Sequence, residues 1–181
     1  MIYLYFTQKR GIQMQPTVVD NFISEESAKE IHMFLRSTVE RNPMGRLSKQ
    51  LYPFDPSHEV YVRVKSIVEN IQKEFGFPED RISINRVLYQ VLCEGEDLGY
   101  HTDAYGGVDG YGVIGYSALL YLTGDYEGGE ILFYDNNIPT PYKPNPGTLV
   151  YFKGDENYPH SVNEILVGER ANIILFFDVK E

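Results

Sequence analysis

The chain has 181 residues, 43% of them hydrophobic, enough to bury a sizeable core within one compact domain. Acidic residues outnumber basic ones 26 to 16, for a formal charge of -10, which disfavours the non-specific attraction to a polyanion that nucleic-acid binding rests on, so no nucleic-acid partner is expected. Cys93 is the only cysteine, which excludes an internal disulfide framework or thiolate metal cluster and points to a reducing, cytoplasmic setting.

Residues 1–15 open on the apolar run from Met1 to Phe6, and the basic Lys9 and Arg10 follow that run rather than precede it, unlike a signal peptide. They read as a short lead-in or an edge strand. No later apolar run is long enough to span a bilayer, so no membrane partner is expected. Residues 16–80 read as helical. Ser24 is placed to cap a helix whose apolar Ile31, Phe34, Leu35 and Val39 recur at helical spacing until Asn42-Pro43 stops it. After Pro56, Ser57 is placed to cap a second helix. Its stripe is Val60, Val64, Ile67, Val68, Ile71 and Phe75, with Gly76 as the C-terminal cap.

From Arg81 the texture changes to short runs rich in Val, Ile, Tyr and Phe between Gly, Pro, Asn and Asp clusters. Strands are predicted near 82–92, 98–103, 114–123, 129–134, 138–143, 148–153, 159–165 and 171–179. The predicted fold is therefore mainly β with N-terminal helices (α+β): a jelly roll, or double-stranded β-helix, of about eight strands flanked by two or more helices, with its site inside the barrel mouth. One domain is expected over 16–181, helical over 16–80 and jelly roll over 81–181, with no internal repeat or interdomain linker. The segment from Tyr105 to Gly115 alternates glycines with Tyr105 and Tyr111 and reads as a substrate lid, or else as a long hairpin loop without a binding role.

The chemistry centres on His101-Thr102-Asp103. On a strand, residues i and i+2 share a face, so His101 and Asp103 can reach one ion, and His160 is a candidate third ligand from a neighbouring strand. Two histidines and one carboxylate on one side of an ion, with open positions opposite, is the arrangement of non-haem Fe(II) oxygenases. A histidine near an aspartate is also commonly only a surface hydrogen bond. His32 and His58, on the predicted helices, read as exposed or core-edge residues. Asp125, Glu127 and Glu130 read as solvated loop charges, and Gly128-Gly129 and Pro146-Gly147 as turns.

The order His101-x-Asp103, Gly128-Gly129-Glu130, Pro146-Gly147-Thr148-Leu149-Val150-Tyr151-Phe152, His160 and Arg170 resembles the Fe(II)/2-oxoglutarate-dependent dioxygenase superfamily, most closely its prolyl 4-hydroxylase-like branch. The likeness runs from Val19-Asp20-Asn21-Phe22 to the terminal strand Ile173-Ile174-Leu175-Phe176-Phe177. It implies that His101, Asp103 and His160 are the iron ligands, that Arg170 pairs with the distal carboxylate of 2-oxoglutarate, and that Tyr121 helps it. A planar, permanently charged guanidinium suits that carboxylate. Asn172 sits where a small polar group sometimes faces the co-substrate, or is a plain strand-end residue.

The resemblance further implies Fe(II), 2-oxoglutarate and O2 as reagents, with ascorbate keeping the iron reduced. The implied reaction is hydroxylation of an unactivated carbon with release of succinate and CO2. The favoured substrate is a prolyl residue in a peptide or protein, including proline-rich ones; another amino-acid side chain or a small molecule is the alternative, and a non-catalytic jelly-roll binding module is the rival of a different class. Two departures concern the substrate. Many prolyl hydroxylases carry a tyrosine at the position of Leu92 and a tryptophan in the last strands, and this chain has no tryptophan. Nucleic-acid demethylases of this fold carry a second arginine where this chain has Phe176. The sequence sets no oligomeric state.

Overall fold

The computed structural model describes residues 15–76, 78, 80–103 and 115–179. In chain order, β1 (Thr17–Val19) leads into α1 (Glu25–Arg36), then β2 (Glu40–Arg41), β3 (Leu47–Gln50) and α2 (Glu59–Glu74). There follow β4 (Ile82–Cys93), β5 (Leu98–His101), β6 (Tyr116–Tyr121), β7 (Glu127–Gly128) and β8 (Ile131–Asp135). The chain continues through β9 (Ile138–Tyr142), β10 (Leu149–Lys153), β11 (His160–Val162), β12 (Ile165–Val167) and β13 (Glu169–Val179).

Ser24 caps α1 as its sequence predicts, accepting a hydrogen bond from the Ser27 N–H, and Glu25 and Glu26 complement the positive end of the helix. The helix ends before Val39, contrary to the spacing. The Ser37 and Thr38 hydroxyls donate to the carbonyls of Phe34 and Leu35, satisfying the last turn from outside. At α2 the cap is His58, not Ser57. His58 Nδ1 accepts from the Val60 N–H at 3.2 Å, while the Ser57 N–H is already given to Asp55 Oδ1. The His58 ring also stacks on Phe34 with centroids 3.9 Å apart, joining the start of α2 to α1. Gly76 ends the second helix with φ 70°, as predicted.

The stretch 16–80 is not wholly helical: it contributes β1, β2 and β3. These strands are too short for a sequence periodicity to show, and pairing with their neighbours defines them. β1 lies along β10 and β3 along β4. Every predicted strand is present, with altered ends. The one predicted over 129–134 starts at Ile131, because Gly128 and Gly129 turn the chain at φ 72° and 67°. The one predicted over 159–165 divides into β11 and β12, since the chain leaves β8 for β7 there.

A seven-stranded sheet runs β1-β10-β6-β13-β4-β3-β2, a four-stranded sheet runs β5-β11-β8-β9, and β7 pairs with β12. The two larger sheets form the jelly roll, with both helices packed outside the larger one. Alternation sorts its side chains. Ala171, Ile173, Leu175 and Phe177 of β13 join Leu35, Val64, Val68 and Ile71 in the helix-side core, with Ala118, Leu120 and Leu149 from the neighbouring strands. Leu119, Tyr121, Val150 and Phe152 face the other way, where they pack with Ile131 and Phe133 of the smaller sheet. Burying each such large apolar side chain contributes roughly 1.5–3 kcal/mol. Arg170 and Asn172 take that inner face too, as buried polar groups on β13.

Candidate metal centre and co-substrate pocket

His160 of β11 pairs directly with His101 of β5, and their ring centroids lie 4.2 Å apart. His101 Nδ1 is 2.7 Å from the Gly99 carbonyl oxygen and His160 Nδ1 is 3.0 Å from that of Tyr158. A carbonyl only accepts, so both Nδ1 atoms carry the proton and both Nε2 atoms keep a lone pair. Those lone pairs meet one carboxylate: His101 Nε2 is 3.8 Å from Asp103 Oδ1, and His160 Nε2 is 3.9 Å from Asp103 Oδ2. One ligand atom from each residue lies within 4.8 Å of the others. Asp103 reaches this set from a bend just past β5, because the strand predicted to 103 ends at His101.

Burial keeps the His160 imidazole in the form that binds metal. His160 is 5% exposed, and burial holds its pKa below the usual histidine value, outweighing the opposing pull of Asp103. Phe152 meets the ring edge-on at 4.9 Å and Phe133 lies at 5.8 Å, so aromatic walls exclude water from that side. Two neutral imidazoles and a carboxylate form a donor set that fits Fe(II).

Arg170 lies on the inner face of β13 with 3% exposure. It donates to the Tyr121 hydroxyl at 2.7 Å, and its guanidinium lies 4.9 Å from the centroid of that ring. Among the described residues its Nε has no hydrogen-bond partner and no carboxylate pairs with it. A buried cation without an anion is costly, so the pocket is chemically incomplete without an anionic ligand. Tyr121, having accepted from Arg170, still has its own proton to donate. Gly147 secures that tyrosine from behind: its N–H donates to the Tyr121 carbonyl at 2.8 Å, and at φ 84° a Cβ there would sit 2.2 Å from the Ile23 carbonyl oxygen.

Other polar groups complete the pocket. Asn172 is 2% exposed, and among the described residues neither of its amide atoms has a hydrogen-bond partner. Tyr126, which no sequence motif marks, is buried beside Arg170; burial pushes its pKa up to about 12, and the charge of Arg170 and a hydrogen bond with it pull the other way. It sits in a loop after β6 where no periodicity marks it, so only its place after the Leu119-Leu120-Tyr121 run could have drawn attention. Leu92 is buried directly opposite Arg170 in the β4–β13 pairing and gives the pocket an apolar wall. Tyr105 and Tyr111 of the predicted lid lie outside the described residues. His58 caps α2, His32 bonds Tyr89 and Glu169, and Glu130 accepts from Asn163, so none of these three joins the centre.

The fold and this centre are those of a jelly-roll oxygenase. The sequence pattern of the 2OG-Fe(II) oxygenase superfamily matches residues 87–178, and the chain belongs to that superfamily. Its reagents are accordingly Fe(II), 2-oxoglutarate and dioxygen. Among curated proteins, prolyl 3-hydroxylase 2 of Gallus gallus is 38% identical over 65 residues, which are 34% of this chain and 9% of that protein. The chain thus matches only a small part of that relative's length. A Pseudomonas putida prolyl-4-hydroxylase superposes with a TM-score of 0.73 at 16% identity, covering 93% of this chain and 94% of the other. A Trichoplax adhaerens prolyl hydroxylase, solved in complex with a hypoxia inducible factor peptide fragment, superposes at 0.71 with 16% identity, covering 91% and 84%. At such identities these two likenesses show the shared fold. No helix among the described residues is long and apolar enough to cross a membrane.

Proposed function

We propose that the protein hydroxylates a prolyl residue in a peptide or protein substrate, with His101, Asp103 and His160 holding the iron and Arg170 with Tyr121 holding the distal carboxylate of 2-oxoglutarate. One observation carries the reading: a buried arginine that has no carboxylate partner among the described residues lies on the inner face of the same jelly roll as two histidines whose Nε2 atoms converge on Asp103. With iron held there, dioxygen would be the oxidant: one of its oxygen atoms would enter succinate as 2-oxoglutarate loses CO2, and the other would be delivered to the substrate carbon.

The chain's own residues hold and orient. Arg170 and Tyr121 both donate charge-assisted hydrogen bonds to the carboxylate at one end of the co-substrate. Backbone carbonyls of Gly99 and Tyr158 hold the imidazoles in the ligating tautomer, the outer support on which metal affinity depends. Phe133 and Phe152 keep bulk water from the His160 side. The prolyl assignment is supported by the curated relative and by both solved neighbours, all prolyl hydroxylases by name. Residues 16–181 act as one unit in this reading, since α1 and α2 share a core with β4, β6 and β13.

Incubation with Fe(II), 2-oxoglutarate and a panel of proline-containing peptides, read by mass spectrometry, tests the substrate class. A peptide that gains one oxygen atom on proline, with matching succinate, is expected. Oxygen gain on another side chain alone, or on a small molecule but no peptide, would overturn the prolyl assignment while leaving the oxygenase class intact.

A further inference from the structure

Thr123 lies just past the end of β6, where the backbone pairing with β13 stops at Tyr121 opposite Asn172. On that side of β13 the next groups needing partners are the Ala171 N–H and the Glu169 carbonyl, and a single side chain serves both. Thr123 Oγ1 accepts from the Ala171 N–H at 2.9 Å and donates to the Glu169 carbonyl at 3.1 Å. A hydroxyl has one proton to give and lone pairs to receive, so it can close this bridge alone. The Ala171 carbonyl in turn accepts from the Leu122 N–H at 2.9 Å. The residue that the bridge spans is Arg170.

The Glu169 side chain is held as well, from the helix side. Arg36 Nε lies 3.1 and 3.0 Å from its two carboxylate oxygens, and His32 Nε2 lies 3.2 Å from the first of them. The residue before Arg170 is therefore tied to α1 and to Thr123, and the residue after it to Thr123 and Leu122. Fixing both flanking peptides fixes the direction in which the Arg170 side chain leaves the strand. A long side chain amplifies any change in that direction at its guanidinium, which must meet both Tyr121 and a carboxylate.

We propose that Thr123 is a positioning residue that sets the backbone of Arg170 and thereby the affinity for 2-oxoglutarate. The proposal rests on Arg170 being the partner of the distal carboxylate. Without the hydroxyl, the Ala171 N–H and the Glu169 carbonyl lose their partner at a site where water has little access, and the end of β13 relaxes until they find another. The metal ligands are on or beside β5 and β11 of the other sheet, so the loss falls on the co-substrate and not on the ion.

Calorimetric titration of 2-oxoglutarate into the Ni(II)-loaded protein tests this without turnover, alongside the Ni(II) affinity itself and the half-saturating 2-oxoglutarate concentration for succinate formation with Fe(II). Thr123→Val keeps the shape and removes the hydroxyl; it is expected to weaken 2-oxoglutarate binding about 5- to 10-fold with unchanged metal affinity and unchanged maximal rate. Thr123→Ser restores the hydroxyl and is expected to bind within about twofold of the parent chain. Should Thr123→Val not fold, Thr123→Ala makes the same deletion without filling the space. Arg170→Ala is the control. If it weakens 2-oxoglutarate binding while the hydroxyl deletion does not, or if the deletion weakens metal and co-substrate alike, the positioning role is wrong. If Arg170→Ala itself has no effect, the carboxylate assignment fails and takes this proposal with it.

Discussion

The two candidate ligand histidines, His101 and His160, show how much a single backbone contact decides. Each imidazole donates from Nδ1 to a carbonyl, of Gly99 or Tyr158, and this alone turns Nε2 toward Asp103. Removing a ligand leaves a pair that holds iron poorly, so Asp103→Ala and His160→Ala are each expected to lose stoichiometric iron and all turnover; metal analysis of the purified variants checks this, and full iron occupancy in either would mean that the ligand set is wrong. Arg170→Ala is expected to raise the 2-oxoglutarate requirement by roughly 10- to 100-fold, the worth of a charged hydrogen-bonded pair, with iron still bound. A requirement unchanged in steady-state titration would place the carboxylate partner elsewhere. These residues were legible in the sequence because each belongs to a short motif at family spacing. Tyr126 and Thr123 were not: their weight comes from what lies across the chain from them, an arginine and a strand edge, and neighbours in sequence carry no trace of that.

At the scale of elements, α1 is tied to the mouth of the pocket by His32. Its Nε2 faces Glu169, a carboxylate that can only accept, so Nε2 carries the proton and Nδ1 accepts from the Tyr89 hydroxyl at 2.9 Å. Burial holds the His32 pKa below 6.5, ahead of the opposing pull of Glu169 and Asp125 and together with the push of Arg36. The unfolded chain therefore binds more protons than the folded one just below that value. Stability from the neutral ring is fully present above pH 6.5 and is lost as the pH falls toward the folded-state pKa. His32→Gln is expected to flatten the acid side of a stability-versus-pH curve measured by denaturant unfolding; an unaltered slope would mean that another group titrates there. Elements were legible where periodicity was long, as in α2 and β13. They were missed where pairing alone defines them, as in β2 with its two residues, and helix ends moved where a side chain took over a terminal hydrogen bond, as Ser37, Thr38 and His58 do.

For the whole molecule, the strand texture after Arg81 carried the jelly roll, because many short alternating runs between turn residues leave few other ways to bury both faces of a sheet. The substrate was less legible. Leu92 and the lack of tryptophan remove two marks of many prolyl hydroxylases, and the residues that would touch a peptide are spread over strands distant in sequence. The net charge of -10 adds a constraint of its own. Long-range attraction should speed capture of basic proline-containing peptides and be screened within about 10 Å at 0.1 M salt. Their kcat/KM is expected to fall as ionic strength rises, whereas that of neutral peptides should hardly change; equal salt dependence for both would remove charge from substrate choice.

On the proposed chemistry, this chain splits dioxygen between 2-oxoglutarate and a carbon of its substrate. Turnover under isotopically heavy dioxygen, with both products read by mass spectrometry, tests it most directly. One heavy atom in succinate and one in the new hydroxyl of the peptide, in equal yield, is the predicted result. A hydroxyl whose oxygen comes from water, or heavy succinate formed at the same rate whichever peptide is present and with no heavy peptide, would contradict the claim.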